Sequence, residues 1–369
     1  MLILCMLIYR SVLKPILFRI DPEKTHDLAT RVGHFLGSYW ITRMFIRFFY
    51  SYSDYRLETS ICGIRFNNPV GLAAGFDYGG QLTRIIPCVG FGAETIGSVT
   101  YQAYEGNAPP RLERLPKSQS LLVNKGLKNK GVKTIIASLA GSSFVIPLGI
   151  SVAKTNCKET CTEKEGIHDY IQTLMFLQRS GIGDYYELNI SCPNAFGGEP
   201  FTTPQKLERL LKQVDLLKLK KPLFLKMPVD FSFQETWHLC DVAARHCVDG
   251  LIFGNLTKNR KNPVFDIDEI QHAGKGNFSG KPTEKKSNDL LAFVYKKYKK
   301  RFVLIGCGGI FSADDAYEKI KNGASIVQLI TGMIYQGPGL IKEINKGLVS
   351  LLERDGFTNI HDAIGKNIR

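Results

Sequence analysis

The sequence predicts an α/β fold, a (β/α)8 TIM barrel with a small N-terminal helical extension that associates with a membrane. Three observations carry this reading. Eight short apolar runs each close on small or polar residues, the pattern of parallel strands buried on both faces. Amphipathic segments of helix length separate the runs. The opening residues differ in make-up from the rest, crowding bulky apolar side chains with arginines. A chain of 369 residues, 44% hydrophobic and 22% charged, is long enough for one barrel with a sizeable core. An open doubly wound sheet is the competing arrangement of the same units.

The extension, residues 1–53, comes first. "MLILCMLIYRSVLKPILFRI" is apolar but carries Arg10, Lys14 and Arg19. Its unbroken run, residues 1–9, is far short of the ~20 residues a spanning helix needs. No small-residue cleavage site follows it. A second segment, "YWITRMFIRFFYSY" (39–52), mixes aromatics with Arg43 and Arg47. Two short helices, apolar on one face and basic at the margin, describe a body that lies on a membrane. A helical cap packed on the main domain is the alternative.

The barrel is expected over residues 54–369. Its candidate strands are "NPVGLAAGF" (68–76), "AETIGSVT" (93–100), "VIPLGISVA" (145–153), "YYELNIS" (185–191), "PLFLKM" (222–227), "GLIFGNL" (250–256), "FVLIGCGGI" (302–310) and "ASIVQLITG" (324–332). Between them, "TPQKLERLLKQVDLLKL" (203–219) and "SADDAYEKIKNG" (312–323) read as helices. The second opens on a Ser cap with acidic residues and ends on Gly, as helix ends prefer.

Barrel chemistry gathers at the carboxyl ends of the strands. The residues closing these runs are therefore the candidates: Asp77, Ser98, Ser151, Asn189, Lys226, Asn255, Gly309 and Thr331. "IGCGGI" followed by a helix start, with "QLITG" one strand later, matches the phosphate grip of this architecture, free helix-start amides attracting the anion. No G-x-G-x-x-G fingerprint is present. Lys226 sits inside an apolar strand, where a lysine either snorkels to a strand end or serves as a cation beside an electron-rich ring.

The net charge of +14 favours anionic partners such as nucleic acid, acidic lipid headgroups or a phosphorylated ligand. Much of it, as in "KKYKKR" (296–301), also reads as solvated surface. Nine irregularly spaced cysteines suggest reduced thiols rather than a disulfide framework. Cys157 and Cys161 form the one close pair, without the second pair a zinc site needs, so no metal is expected.

"NPVGLAAGFD", "IGSVT", "NISCPN", "LKMPVDFS", "SGKP", "IGCGGI" and "GASIVQLITGMIYQGPGLIKEI" together resemble the dihydroorotate dehydrogenases, from about Arg56 onward. "LFRIDPEKTHDLA" (17–29) resembles the leading element of their membrane-associated, quinone-using class. The resemblance implies oxidation of dihydroorotate to orotate in pyrimidine synthesis, with FMN as cofactor and a membrane quinone as electron acceptor. It implies peripheral attachment at the cytoplasmic face of the inner membrane and no nucleic-acid partner. It suggests no particular oligomeric state.

By motif matching, Ala74, Gly75, Asp77, Tyr78, Ser98, Ser151, Asn189, Lys226, Gly254, Gly280, Gly309, Ile330 and Thr331 would surround FMN. Asn124, Lys125, Asn189, Asn194, Asn255 and Leu256 would hold the substrate, and Cys192 falls where the family carries its catalytic base. The chain departs from the pattern in four places. Cys192 is the base of the soluble class on a chain with a membrane-class leader. Tyr78 stands where the family usually has a lysine, and Leu256 replaces a threonine. "VNKGLKN" (123–129) is about one residue short. Lys125, Lys128, Arg111 or Arg114 could supply the missing charge.

Removing hydrogen from adjacent carbons sends a proton to a base and a hydride to a flavin. A thiol titrates near 8.5, and nearby positive charge lowers that, so Cys192 is expected as a thiolate at neutral pH more readily than a serine would ionise. Asn189 and Asn194 offer donors and acceptors to a flat ring with two carbonyls. Pro193 fixes φ for the turn that presents them. Taken alone, a cysteine of this kind reads as core packing. Two other functions fit parts of the pattern: a tRNA dihydrouridine synthase-like FMN enzyme, and an FMN-binding membrane protein altered in catalysis. The extension is expected to serve the quinone, apart from the substrate side.

Overall fold

The computed structural model describes residues 7–196, 198–199 and 201–368. The first six residues of the apolar leader lie outside them. Strands β1 (Thr59–Ile61) and β2 (Ile64–Phe66) form an antiparallel hairpin. Next come β3 (Val70–Leu72), β4 (Ala93–Val99), β5 (Leu112–Leu115), β6 (Ser120–Val123), β7 (Leu148–Val152), β8 (Tyr185–Asn189) and β9 (Leu223–Met227). The chain continues through β10 (Gly250–Phe253), β11 (Asn277–Gly280), β12 (Val303–Cys307) and β13 (Ile326–Leu329).

Eight of these close a parallel barrel in the order β3-β4-β7-β8-β9-β10-β12-β13. All eight fall inside the apolar runs read from the sequence, and the open-sheet alternative is excluded. The helices between them end as their sequences dictate. Thr162 Oγ1 caps the helix Glu163–Ser180, which stops at Gly181 in the left-handed region. Ser232 and Glu235 form a capping box on the helix Phe233–Ala244.

The barrel interior is layered. Ala93, Tyr185, Phe224, Ile252, Ile305 and Ile326 pack inside it, and Ile61, Ile64 and Phe66 of the β1–β2 hairpin close over this cluster. Each fully buried aliphatic side chain contributes ~1.5–3 kcal/mol. One layer nearer the mouth the filling is polar. The Glu187 carboxylate accepts from Thr95 Oγ1 at 2.7 Å and from Gln328 Nε2 at 2.6 Å.

Two features were not expected from the sequence: the hairpin, and an antiparallel sheet β5-β6-β11 beside the mouth. That sheet pairs residues 120–123 with 277–280, far apart in the chain.

The extension is helical, including Pro22–Ser38 and Trp40–Tyr50. Asp21 caps the first of these, accepting from Lys24 N at 2.9 Å. Gly33 and Gly37 seat it on Leu82 and Ile85 of the barrel, where side chains would collide. Its other side leaves Leu28, Val32, Phe35, Trp40, Met44, Phe45 and Phe48 exposed, Phe48 by 68%. Among the described residues no helix is long and apolar enough to cross a membrane.

Candidate active site

The strand ends converge on one polar chain. Ser151 Oγ and Ser98 Oγ, on β7 and β4, lie 2.8 Å apart. Asn189 Nδ2, at the end of β8, donates to Ser98 Oγ at 2.9 Å. Asn255 Nδ2, just past β10, reaches Asn189 Oδ1 at 3.3 Å and donates to Ser191 Oγ at 2.8 Å. Ser191 Oγ in turn donates to the Lys226 carbonyl at 2.8 Å. Side chains from four separate strands are thus held in one layer, beside the loop that carries Cys192. This answers why an apolar strand ends in "NISCPN": Asn189 and Ser191 bind neighbouring strands, and the following residues are left to face the mouth.

A cleft of about 510 Å³, counting the part open to solvent, lies over β3, β10, β12 and β13. Ala74, Lys226, Gly254, Asn255, Leu256, Gly280, Gly309, Ile330 and Thr331 all line it. Its floor needs glycine. A Cβ on Gly254 would meet the Cys307 carbonyl at 1.9 Å, and one on Gly309 would meet Glu284 Cβ at 2.3 Å at φ +73. Gly75 differs: at φ +111 its missing Cβ leaves space bounded only by Ile330 Cδ1. A backbone that approaches this closely suits a flat ligand with a phosphate tail.

The helix start expected to hold the anion, Ala313–Lys321, is partly capped by its own side chains. Ser312 Oγ accepts from Asp315 N, and the Asp315 carboxylate accepts from Phe311 N at 2.8 Å and pairs with Lys281 at 3.0 Å. The sequence "SADD" caps itself. Gly308, Gly309, Thr331 and Gly332 line the cleft instead, with Thr331 Oγ1 2.9 Å from Ser279 Oγ.

Asp77 is also occupied. Its carboxylate accepts from the amides of Gly79, Gly80, Gln81 and Leu82, between 2.6 and 3.1 Å. It therefore shapes the loop after β3, with all its acceptor capacity turned away from a ligand. Below it, burial and then the Asp77 charge push the Glu94 carboxyl well above its usual range.

Cys192 is half-buried in the loop after β8. The expected thiolate is not what its surroundings favour. Burial pushes the thiol up to about 11; the Asn194 backbone amide opposes it, the Glu199 carboxylate adds to it, and Lys226 opposes it more weakly. Loss of hydration outweighs the lysine, and the sulfur is protonated at neutral pH.

The loop 123–129 meets a carboxamide network. Asn107 Nδ2 donates to Asn124 Oδ1 at 3.0 Å and to the Asn194 carbonyl at 3.1 Å. Asn277 Nδ2 donates to Asn194 Oδ1 at 2.6 Å. Asn156 Nδ2 donates to Asn107 Oδ1 and to the Gly126 carbonyl, and its own oxygen accepts from Phe196 N. Lys154 Nζ donates to Thr160 Oγ1 at 3.0 Å and to the Phe196 carbonyl at 3.2 Å.

Asn107, Lys154, Asn156 and Asn277 were missed from sequence. "KTN" directly follows the β7 run, so reading three residues past that strand would have found Lys154 and Asn156.

The cations near Tyr78 are drawn to the extension. Glu23 of the helix Pro22–Ser38 pairs with Lys125 at 2.7 Å, Arg111 at 3.0 Å and Lys128 at 3.4 Å. Burial would raise the Glu23 carboxyl, but Lys125 and Arg111 outweigh it and bring it to about 2. The His26 ring packs 5.1 Å from Tyr78 and 5.2 Å from Phe76. Arg114 donates to the Ile20 carbonyl and stacks on Phe18, so it anchors the extension. The extension thus contacts the loop 123–129 directly, through Glu23.

A family model described as dihydroorotate dehydrogenase matches residues 56–352. The chain is 33% identical to a dihydroorotate dehydrogenase (quinone) of Trichodesmium erythraeum, over 97% of this chain and 98% of that protein. It is 34% identical to one of Halobacterium salinarum, over 97% and 99%. In structure it is similar to the DHODH of Eimeria tenella in complex with ferulenol, with a TM-score of 0.84, 26% identity and coverage of 95% and 96%.

Proposed function

The chain belongs to the dihydroorotate dehydrogenase family, and from that premise we propose the working of its barrel mouth. The protein oxidises dihydroorotate to orotate in pyrimidine biosynthesis and passes the electrons to a quinone. The observation that carries the site assignment is the polar chain from Ser151 through Ser98, Asn189 and Asn255 to Ser191, ending beside Cys192.

The flavin is FMN. It supplies, when bound, the two-electron acceptor for hydride. The Gly308–Gly309 loop and Thr331 would hold its phosphate, and Ala74, Gly75, Gly254 and Ile330 its ring. Lys226 offers a cation where a reduced ring gathers negative charge. Asn124, Asn194 and Asn255 would hold the substrate's carbonyl and amide edges, while Cys192 takes the proton. The thiol must first lose its own proton, which makes the step favour alkaline pH.

The exposed apolar side of the extension lies on the cytoplasmic face of the inner membrane, where a quinone is soluble. The test is anaerobic mixing of purified protein with dihydroorotate while flavin absorbance is followed. Bleaching supports the reading. A flavin that stays oxidised refutes it.

A further inference from the structure

Lys125 is the unexplained group at the mouth. Its Nζ is sealed from solvent, and beyond the Glu23 carboxylate its three donors find no side-chain or backbone acceptor among the described residues. Its one short contact is the Glu23 carboxylate at 2.7 Å. Its ammonium stands 5.6 Å from the centre of the Tyr78 ring. A buried ammonium with idle donors is costly unless a ligand completes it. Arg111 and Lys128 share the same carboxylate. Three cations on one anion leave a surplus of positive charge, which suits a second carboxylate.

We propose that Glu23 is a positioning residue of the substrate pocket, lent by the amino-terminal extension, which keeps Lys125 cationic over Tyr78 to receive the carboxylate of the substrate. The inference rests on the dihydroorotate reading above and deepens it. It gives the extension a task on the substrate side and relocates to Lys125 the charge that position 78 lacks.

The groups facing Lys125 set the sign of the effect. From the extension come Glu23 and His26; from the loop after β3, Tyr78; from its own loop, Lys128; and from just before β5, Arg111. Burial lowers the Lys125 ammonium first of all, Glu23 raises it, and Lys128 and Arg111 lower it. His26 is held neutral above about pH 4 and adds no charge at working pH. With Glu23 neutralised, the raising contribution goes and the lowering ones stay.

The test uses the full-length flavoprotein with Glu23→Gln, Lys125→Arg and the double variant. The alkaline rise in KM for dihydroorotate should begin at least one pH unit lower in Glu23→Gln than in the unaltered enzyme. Above that onset KM should climb about tenfold per unit. Lys125→Arg in the Glu23→Gln background should abolish the early rise, since a guanidinium does not lose its proton.

A second arm needs no substrate. The ¹³Cε resonance of Lys125 in lysine-labelled protein, assigned by its loss in Lys125→Arg, should titrate at least one unit lower in Glu23→Gln. Coincident titrations with and without Glu23, or an early KM rise that survives in the double variant, overturn the proposal. If dihydroorotate fails to reduce the flavin of the unaltered protein, the functional reading falls, while the resonance still decides whether Glu23 keeps Lys125 charged.

Discussion

Raising the pH should speed substrate oxidation steeply, because the base proposed at Cys192 is masked by its own proton. Burial holds the thiol at about 11, so at pH 7 it lies four units below half-ionisation. About one molecule in ten thousand then carries a thiolate, against roughly 3% for an unperturbed thiol near 8.5. Each pH unit gained should multiply the rate about tenfold, and pH 7 to 10 should yield roughly a thousandfold. The sign follows from the direction of the shift: a raised thiol is protonated below its midpoint and active above it. The assay is anaerobic stopped-flow reduction of the flavin at saturating dihydroorotate across that range. Cys192→Ala should keep the flavin yet reduce the rate ~10²–10⁴-fold and erase the slope. A flat profile between pH 7 and 10, or an Ala variant as fast as the original, would refute the assignment of the base.

Gly309→Ala places a Cβ 2.3 Å from Glu284 Cβ at a left-handed backbone. It should purify with little flavin, read as the ratio of visible to ultraviolet absorbance, whereas Gly79→Ala, with open space around it, should stay loaded. Asp77→Ala strands four backbone amides and should cost at least ~3 kcal/mol, read from the urea midpoint. Phe45→Ser with Phe48→Ser removes two exposed aromatics. Co-sedimentation with anionic vesicles should fall at least ~10-fold, while reduction by dihydroorotate stays within a factor of about two; equal loss of both would sink the membrane role of that face.

The barrel was legible because parallel strands covered on both faces are continuous apolar runs, and each run here ends at the mouth. The polar residues at those ends were legible for the same reason. What escaped was non-local. The β5-β6-β11 sheet joins segments more than 150 residues apart, so no window of sequence contains it. Asn107 works through Asn124, Asn156 and Asn194, three separate loops. The occupied state of Asp77 and the self-capped start of the helix Ala313–Lys321 depend on where neighbouring amides point. The ionisation of Cys192 depends on water excluded around it, which its neighbours in sequence do not reveal.

The β1–β2 hairpin stoppers one end of the barrel with Ile61, Ile64 and Phe66. A vessel with a single opening forces two-way traffic: whatever is delivered must leave by the door it came through. Orotate therefore has to leave by the open end of the barrel before another molecule of fuel can enter.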